Sequence, residues 1–427
     1  MARGGPLLRV HLQESDGRSN AGVRAPGPRR AALVFIFVTV VLDMLALGLI
    51  VPVLPKLVEQ FVNGDTARAA EIYGIFGTVW ALMQFLFAPV LGALSDRYGR
   101  RPVILLSNLG LGLDYVVMAL APTVRWLFVG RVVSGITSAS FSAASAYIAD
   151  VAPPEQRAAG FGMLSAAFGL GFVLGPALGG LLGAIDPRLP FWVAAACSLV
   201  NALYGLFVLP ESLPRERREG FVWQRANPIG SLTLLRSHAE LFGLAVVSFI
   251  GSIAHEALPT IFVLYASYRY GWDNSVVGLT IAAMGVCSAV VGAGLVKPMV
   301  RYCGERATLL LGLLCGVAGF AIYGFAETGA VFLIAIPVQA LWGLSSPPMQ
   351  GLMTARVKPS EQGQLQGALS SLRGIAFMIG PALFTVTFAR SIDTHYNWHM
   401  PGAPFLLAAL LVAASAVLAI RVTRAEG

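Results

Sequence analysis

Charge is scarce in this sequence. Its 427 residues hold 30 Lys+Arg and 22 Asp+Glu, so charged residues make up 12%, about half the roughly 25% of ordinary soluble domains. That shortage, with so much apolar residue, excludes a disordered chain and a conventional soluble enzyme. Cysteine is rarer still. Cys197, Cys287, Cys303 and Cys315 show no CxxC spacing and have no histidine pairs nearby, which excludes a metal knuckle or a redox couple and leaves them as small apolar fillers. No GxxxxGK[ST] loop is present, so ATP is not the energy source within this chain, and neither HExxH nor GxSxG appears. No enzymatic activity, cofactor or bound metal is expected. The 47 glycines and 25 prolines follow no G-X-Y period, which excludes collagen.

What is there is apolar. A hydrophobic content of 56% and a mean hydropathy of +0.72 mark a polytopic protein whose surroundings are the lipid bilayer. A spanning helix needs about 20 mostly apolar residues. Twelve stretches qualify: 31–51, 70–93, 102–121, 124–147, 158–184, 190–210, 241–266, 275–299, 306–326, 329–353, 363–389 and 401–421. The segments between them are short except 211–240, which is polar and carries Arg215, Glu216, Arg217, Arg218 and Glu219. The expected architecture is all-α, with 12 transmembrane helices in two pseudo-symmetric six-helix halves. A disordered basic arm (1–30) precedes an N-terminal bundle (31–210), a cytoplasmic central loop (211–240), a C-terminal bundle (241–421) and a short tail (422–427).

The basic residues orient the chain. With the first segment in the cytoplasm, 22 of the 30 fall on that side and 6 on the other (Lys56, Arg68, Arg125, Arg188, Arg269, Arg390), while Arg131 and Arg373 fall inside spans. This split is a strong positive-inside signal that places both termini in the cytoplasm. The net charge of +8 thus reads as orientation and not as a nucleic-acid footprint, because no face interleaves Arg with aromatics. Arg29-Arg30 reads as an anchor for the first span. No cleaved signal is expected, since the first apolar run continues into Asp43 without a small-residue cleavage site.

The sequence also repeats itself. Gly169–Gly180 reads GLGFVLGPALGG and Gly374–Phe384 reads GIAFMIGPALF, with Gly175-Pro176 and Gly380-Pro381 205 residues apart. The loop Gly92–Pro102, GALSDRYGRRP, has a degraded counterpart in Lys297–Ala307, KPMVRYCGERA, with Gly99 and Gly304 again 205 apart. One offset at two landmarks argues for duplication of a six-helix unit. Parallel repeats are a recognised transporter plan, with substrate held near the midplane between the halves.

These residues resemble the major facilitator superfamily, and more closely its twelve-helix drug–proton antiporters of the tetracycline efflux type. GALSDRYGRRP is similar to the loop between helices 2 and 3, GRVVSGI (Gly130–Ile136) to the helix-4 arginine motif, and GFVLGPALGG (Gly171–Gly180) to the helix-5 antiporter motif. The similarity extends through LDMLALGLIVPVLP (Leu42–Pro55), LDY (Leu113–Tyr115), IAD (Ile148–Asp150), YRYGW (Tyr268–Trp272) and GQLQGAL (Gly363–Leu369). The resemblance implies the major facilitator fold, a bacterial inner membrane, and proton-coupled export of an amphipathic drug-like compound by alternating access. Tetracycline is one candidate, conceivable as its metal chelate. It also implies gating by Gly92, Asp96, Arg97, Gly99, Arg100 and Arg101, and a helix-5 motif of Gly171, Gly175, Pro176 and Gly179. The C-terminal half departs from that pattern, because Gly316 stands where tetracycline exporters commonly carry a helix-9 aspartate and Ser288 where they carry a helix-8 histidine.

Ionisable groups at mid-bilayer cost about 2.5–3.5 kcal/mol on insertion scales, so each stranded one is a functional candidate. Asp43 and Asp114 resemble the two N-half aspartates of tetracycline exporters, and a partly desolvated carboxylate can change its proton as access switches. The competing reading for Asp43 is a fixed pair with an Arg or Lys. Arg131 is expected either to balance charge during coupling or to pair with Asp96 or Asp150. Gln84 adds a neutral polar group. In the C-terminal half Glu256 is the candidate for the cavity, paired with Arg373 or releasing it, and His255 reads as a hydrogen-bonded structural residue, because neighbours on a helix point about 100° apart. Trp80, Phe85, Phe172, Phe262, Tyr265, Trp342 and Phe377 are candidate cavity aromatics. The expected partners are a small-molecule substrate, protons and lipid. No nucleic acid is expected and no oligomer is required. The alternatives are a metabolite symporter or facilitator and, from another class, a non-transporting sensor.

Overall fold

The computed structural model describes residues 28–423, apart from 139, 153–156, 219–234, 236–238, 359–360 and 397. Expectations for the N-terminal arm before residue 28, most of the central loop and the end of the tail fall outside these residues. Among the described residues the chain is helical throughout, as a bilayer demands of an open chain whose backbone must satisfy its own hydrogen bonds.

The N-terminal half contains α1 (Pro28–Ile50), α2 (Leu54–Phe61), α3 (Thr66–Tyr98), α4 (Arg100–Leu120), α5 (Val124–Thr137), α6 (Ser140–Val151), α7 (Arg157–Ile185) and α8 (Leu189–Val208). The C-terminal half contains α9 (Ala239–His255), α10 (Ala257–Tyr270), α11 (Asn274–Val290), α12 (Val296–Phe325), α13 (Gly329–Ala340), α14 (Ser346–Thr354), α15 (Gln362–Ile392) and α16 (Ala403–Val422). Short polar caps set the starts: Asp65 accepts from the Arg68 amide and Asp273 from the Val276 amide, both at 2.9 Å. Each satisfies a helix N-terminus that would otherwise leave free N–H groups.

Ten of these runs are long and apolar enough to cross a membrane. One of them, Asn274–Phe325, is two spans joined by a turn at Gly304, whose φ of 79° and ψ of 166° break the helix. The pair α5 and α6 supplies the remaining crossing, each half being too short alone. Twelve crossings result, in agreement with the hydropathy reading.

Four crossings are interrupted near their middles. The α-helical winding is interrupted at 51–53 between α1 and α2, at 138 between α5 and α6, at Glu256 between α9 and α10, and through the 3-10 turn Leu341–Leu344 between α13 and α14. The first and third breaks, and the second and fourth, stand about 205 residues apart. The repeat is therefore structural, and it extends to Gly99, whose φ of 108° and ψ of 161° nearly match Gly304.

Small residues let the helices approach closely. A Cβ at Gly171 would stand 2.4 Å from Met44 Cβ, one at Gly175 2.6 Å from Gly48 Cα, and one at Gly179 2.1 Å from the Leu49 carbonyl. The helix-5 motif is thus the contact stripe of α7 on α1. The opposite edge of α7 meets the other half, where Gly180 and Pro176 pack on Gly278 of α11. Its counterpart in the repeat does the same: Gly74 and Gly77 of α3 lie on Thr385 and Pro381 of α15.

The halves meet at the arginine-poor end. Asn274 Nδ2 donates to the Gly183 carbonyl at 3.0 Å, Thr78 Oγ1 to the Met378 carbonyl at 3.0 Å, and Lys56, itself 2.9 Å from Glu59, donates to Ser267 Oγ. Toward the arginine-rich end, added Cβ atoms at Gly92, Gly162, Gly169, Gly292 and Gly363 would meet nothing within 4 Å.

Two sequence expectations are corrected. Phe262 and Tyr265 do not line a cavity, since both are fully buried in an aromatic core with Phe332, Phe405 and Trp272. Cys303 is exposed and is no packing filler.

Candidate transport site

The interrupted helices gather the polar groups. Asp114 of α4 is 2% exposed, and neither carboxyl oxygen has a hydrogen-bond partner among the described residues. It lies against Gly130, where a Cβ would stand 2.7 Å from Oδ1, so glycine at that position makes the room the carboxyl occupies. Its electrostatic neighbour is Arg131. A buried ionised carboxylate is costly unless it is paired or hydrogen-bonded, so the state of Asp114 depends on where the arginine points.

Arg131 is 7% exposed, donates from Nη2 to Ser134 Oγ at 3.3 Å, and holds its guanidinium 5.5 Å from the Trp80 ring centroid. Trp80 in turn donates from Nε1 to Ser134 at 3.2 Å. The expected pairing with Asp96 or Asp150 does not form, because both carboxylates are taken by Arg100, at 2.6 and 3.0 Å. Arg131 instead lines a cavity of about 140 Å³ with Leu47, Ile50, Tyr73, Phe76 and Trp80. Gln84 donates to Ser138 Oγ at 3.1 Å, on the break between α5 and α6.

Asp43 is 4% exposed and sits inside the N-terminal bundle. Asn201 of α8 donates to Oδ1 at 2.8 Å and also to the Thr39 carbonyl at 3.0 Å. With its amide turned so that its nitrogen faces the acceptors, Asn108 of α4 donates to both oxygens at 3.2 Å. Both of these partners are amides, on two helices. The buried Thr39 and Ser198 hydroxyls and Asn201 Oδ1 have no partners among the described residues, which makes this a polar chamber with unmet bonding capacity.

Glu256 sits at the α9–α10 break, its side chain 14% exposed and its stem against Gly380 of α15, where a Cβ would lie 2.4 Å from Glu256 Cβ. Tyr73 of α3 is within electrostatic reach of both Arg131 and Glu256, so charged groups of the two halves converge around it. The expected Glu256–Arg373 pair does not form. Arg373 is exposed on the face of α15 that carries Gln366, which accepts from Gln350 of α14 at 3.1 Å. His255 is also corrected: its side chain is 66% exposed and lies 3.9 Å from Glu256 without a hydrogen bond to a described residue.

The loop motif forms a charge knot within one half. Arg100 joins Asp96 to Asp150, donates from its backbone to Glu211 at 2.8 Å, and reaches Ser95 at 3.2 Å. Arg101 donates to the Leu206 carbonyl, while Arg97 is exposed beside Tyr98. Gly92 turns no corner, because it lies within the unbroken helix α3. Gly99 makes the turn, and a Cβ there would collide with Glu211 Oε2.

The profile of the Major Facilitator Superfamily matches residues 36–381. The chain belongs to this superfamily. Relatives include the tetracycline resistance proteins class C and class E of Escherichia coli. The first is 39% identical over 363 residues, covering 85% of this chain and 91% of the relative. The second is 36% identical over 367 residues, covering 86% and 89%. Among solved structures, a bacterial homologue of the human lysosomal transporter Spinster, captured inward-facing and unoccupied, superposes with a TM-score of 0.73 at 16% identity, covering 94% of this chain and 98% of that one. At that identity the likeness speaks to the fold alone. This major facilitator protein is therefore a multi-pass membrane transporter of small molecules and not an enzyme. Asp43, Asp114, Arg131 and Glu256 stand out in the sequence as ionisable residues inside apolar runs, whereas Asn201 and Asn108 do not stand out as partners of Asp43. Their only signal was polarity inside apolar spans.

Proposed function

We propose that this protein is a proton-coupled antiporter that exports an amphipathic compound of the tetracycline type across a bacterial inner membrane, with both termini in the cytoplasm. The relatives' names carry the substrate class, and the 22:6 distribution of basic residues carries the orientation. On that orientation the seam at Gly183–Asn274 and Gly74–Thr385 closes the outer side, and the chain faces the cytoplasm.

The observation that bears the mechanism is Asp114, whose two buried oxygens have no hydrogen-bond partner among the described residues while Arg131 lies nearby. A proton on Asp114 releases Arg131 from balancing it, and its loss draws the arginine back. Arg131 contacts Trp80 and lines the cavity with Tyr73, which sees Glu256 across the seam. Proton occupancy thereby alters the wall that the cargo meets and the charges shared between the halves. Asp43 is proposed as the second proton group, passing protons through the Asn201–Asn108 chamber. The loop charges of Asp96, Arg97, Arg100 and Arg101 act as the cytoplasmic gate, and Gln84 steadies the α5–α6 break. No cofactor is required: the proton gradient supplies the driving force, and a chelated metal would arrive with the cargo.

Tetracycline accumulation in everted membrane vesicles tests this reading. Uptake should follow an imposed pH gradient, stop with an uncoupler, and vanish in Asp114→Asn. Full antiport by Asp114→Asn would sink it.

A further inference from the structure

An aromatic pair in the C-terminal half has no part in the proton mechanism. His255 ends α9 at the middle of the span Leu241–Tyr270, and 66% of its side chain is open. A polar ring this open at mid-membrane is costly against lipid, and its neighbour Glu256, which packs on α15 of the same half, lies within electrostatic reach of Tyr73 of the other half. The imidazole therefore faces the opening between the halves. Trp342 lies beside it, with ring centroids 5.8 Å apart at 39°, and Phe320 backs the indole edge-on at 5.4 Å and 68°.

Three features set this pair in place. Trp342 belongs to the 3-10 turn Leu341–Leu344, and the facing helix is distorted into a π segment at Val291–Leu295. Such bulges cost helix stability and occur often at functional sites. Gly316 supplies the space: a Cβ there would stand 2.7 Å from indole Cγ and Cδ1. Finally, among the described residues neither the indole N–H nor an imidazole nitrogen makes a hydrogen bond, so donors with no partner sit at the edge of the pair.

We infer that His255 and Trp342 form a stacking platform that takes a planar fused-ring compound bearing a hydrogen-bonding edge. The flat face of the compound lies along the rings, and its polar edge meets the indole N–H and the imidazole. This deepens the export reading and rests on it for the location of the path. Aromatic pairs gain roughly threefold to tenfold in affinity beyond area burial, a gain that a compound without aromatic rings does not share.

Equilibrium binding to the purified full-length protein in nanodiscs tests the platform, with tetracycline, acriflavine and ethidium as planar probes and erythromycin as a non-aromatic comparison. Trp342→Leu should weaken the planar probes about tenfold and erythromycin less than twofold, while Trp342→Phe stays within about twofold of the unsubstituted protein. His255→Ala removes an open side chain, so it should leave thermal unfolding unchanged and weaken planar probes about threefold. The inference is overturned if the unsubstituted protein binds no planar probe. It is equally overturned if Trp342→Leu and His255→Ala bind them unchanged, or if erythromycin weakens in parallel. Loss of planar binding in these variants, alongside an absence of gradient-driven export by the unsubstituted protein, supports the platform and overturns the export reading.

Discussion

Gly99 and Gly304 share a backbone conformation that is essentially restricted to glycine, yet their surroundings differ. At Gly99 a Cβ would collide with Glu211, whereas at Gly304 it meets nothing within 4 Å. Gly304→Ala should therefore lose only the conformational term of about 1–3 kcal/mol. Gly99→Ala should lose that and also displace Glu211 from the Arg100 amide, giving the lower melting temperature of the two in detergent. Equal melting temperatures would show that the Glu211 contact carries no weight. Asp43→Asn is a second residue-scale case. It sets an amide N–H against the donors of Asn201 and Asn108, and each unmet buried group costs about 1–3 kcal/mol. The variant should be less stable than Asp114→Asn, which replaces a carboxyl with no hydrogen bond to a described residue, and thermal melting of the two side by side decides the order.

At the scale of the helix, the glycine stripe of α7 is the contact most sensitive to volume. Gly175→Val should overpack α1 against α7 at about 1–3 kcal/mol, reducing the folded yield, which size-exclusion chromatography would register. Crossings and stripe were both legible in the sequence, because a bilayer imposes a length on every apolar run and packing imposes a spacing on glycines. The breaks were only partly so. Three of them stand at or beside prolines (Pro52, Pro259, and Pro347 with Pro348), which hydropathy passes over, whereas Ser138 has no such mark and only tertiary packing shows the change of winding there. The Asp43 chamber was hidden for a related reason: its carboxylate and its asparagine partner are 158 residues apart. For His255, composition gave the residue but not the rotation of α9 that leaves its ring open.

Across the whole molecule, the halves are joined at the arginine-poor end, so locking that seam should arrest the proposed cycle. A Cβ at Gly74 would stand 3.0 Å from Thr385 Cβ, slightly inside the 3.5–4.5 Å of a disulfide. With the native cysteines replaced, Gly74→Cys with Thr385→Cys should cross-link under oxidation, abolish transport and recover on reduction. Cross-linked protein that still transports would mean the seam does not open during turnover. Across it glycines pack against backbone and against the side chains of Thr385, Phe85 and Val173, and three hydrogen bonds among the described residues, from Lys56, Thr78 and Asn274, add about 0.5–1.5 kcal/mol net each. One charge falling through 100 mV releases about 2.3 kcal/mol. The hydrogen-bonded share of the seam and the work of one ion are thus of one order, so on the proposed cycle the packing given up on opening must be offset by contacts that form at the other end, and a seam with more polar bonds would outlast the work of a single ion.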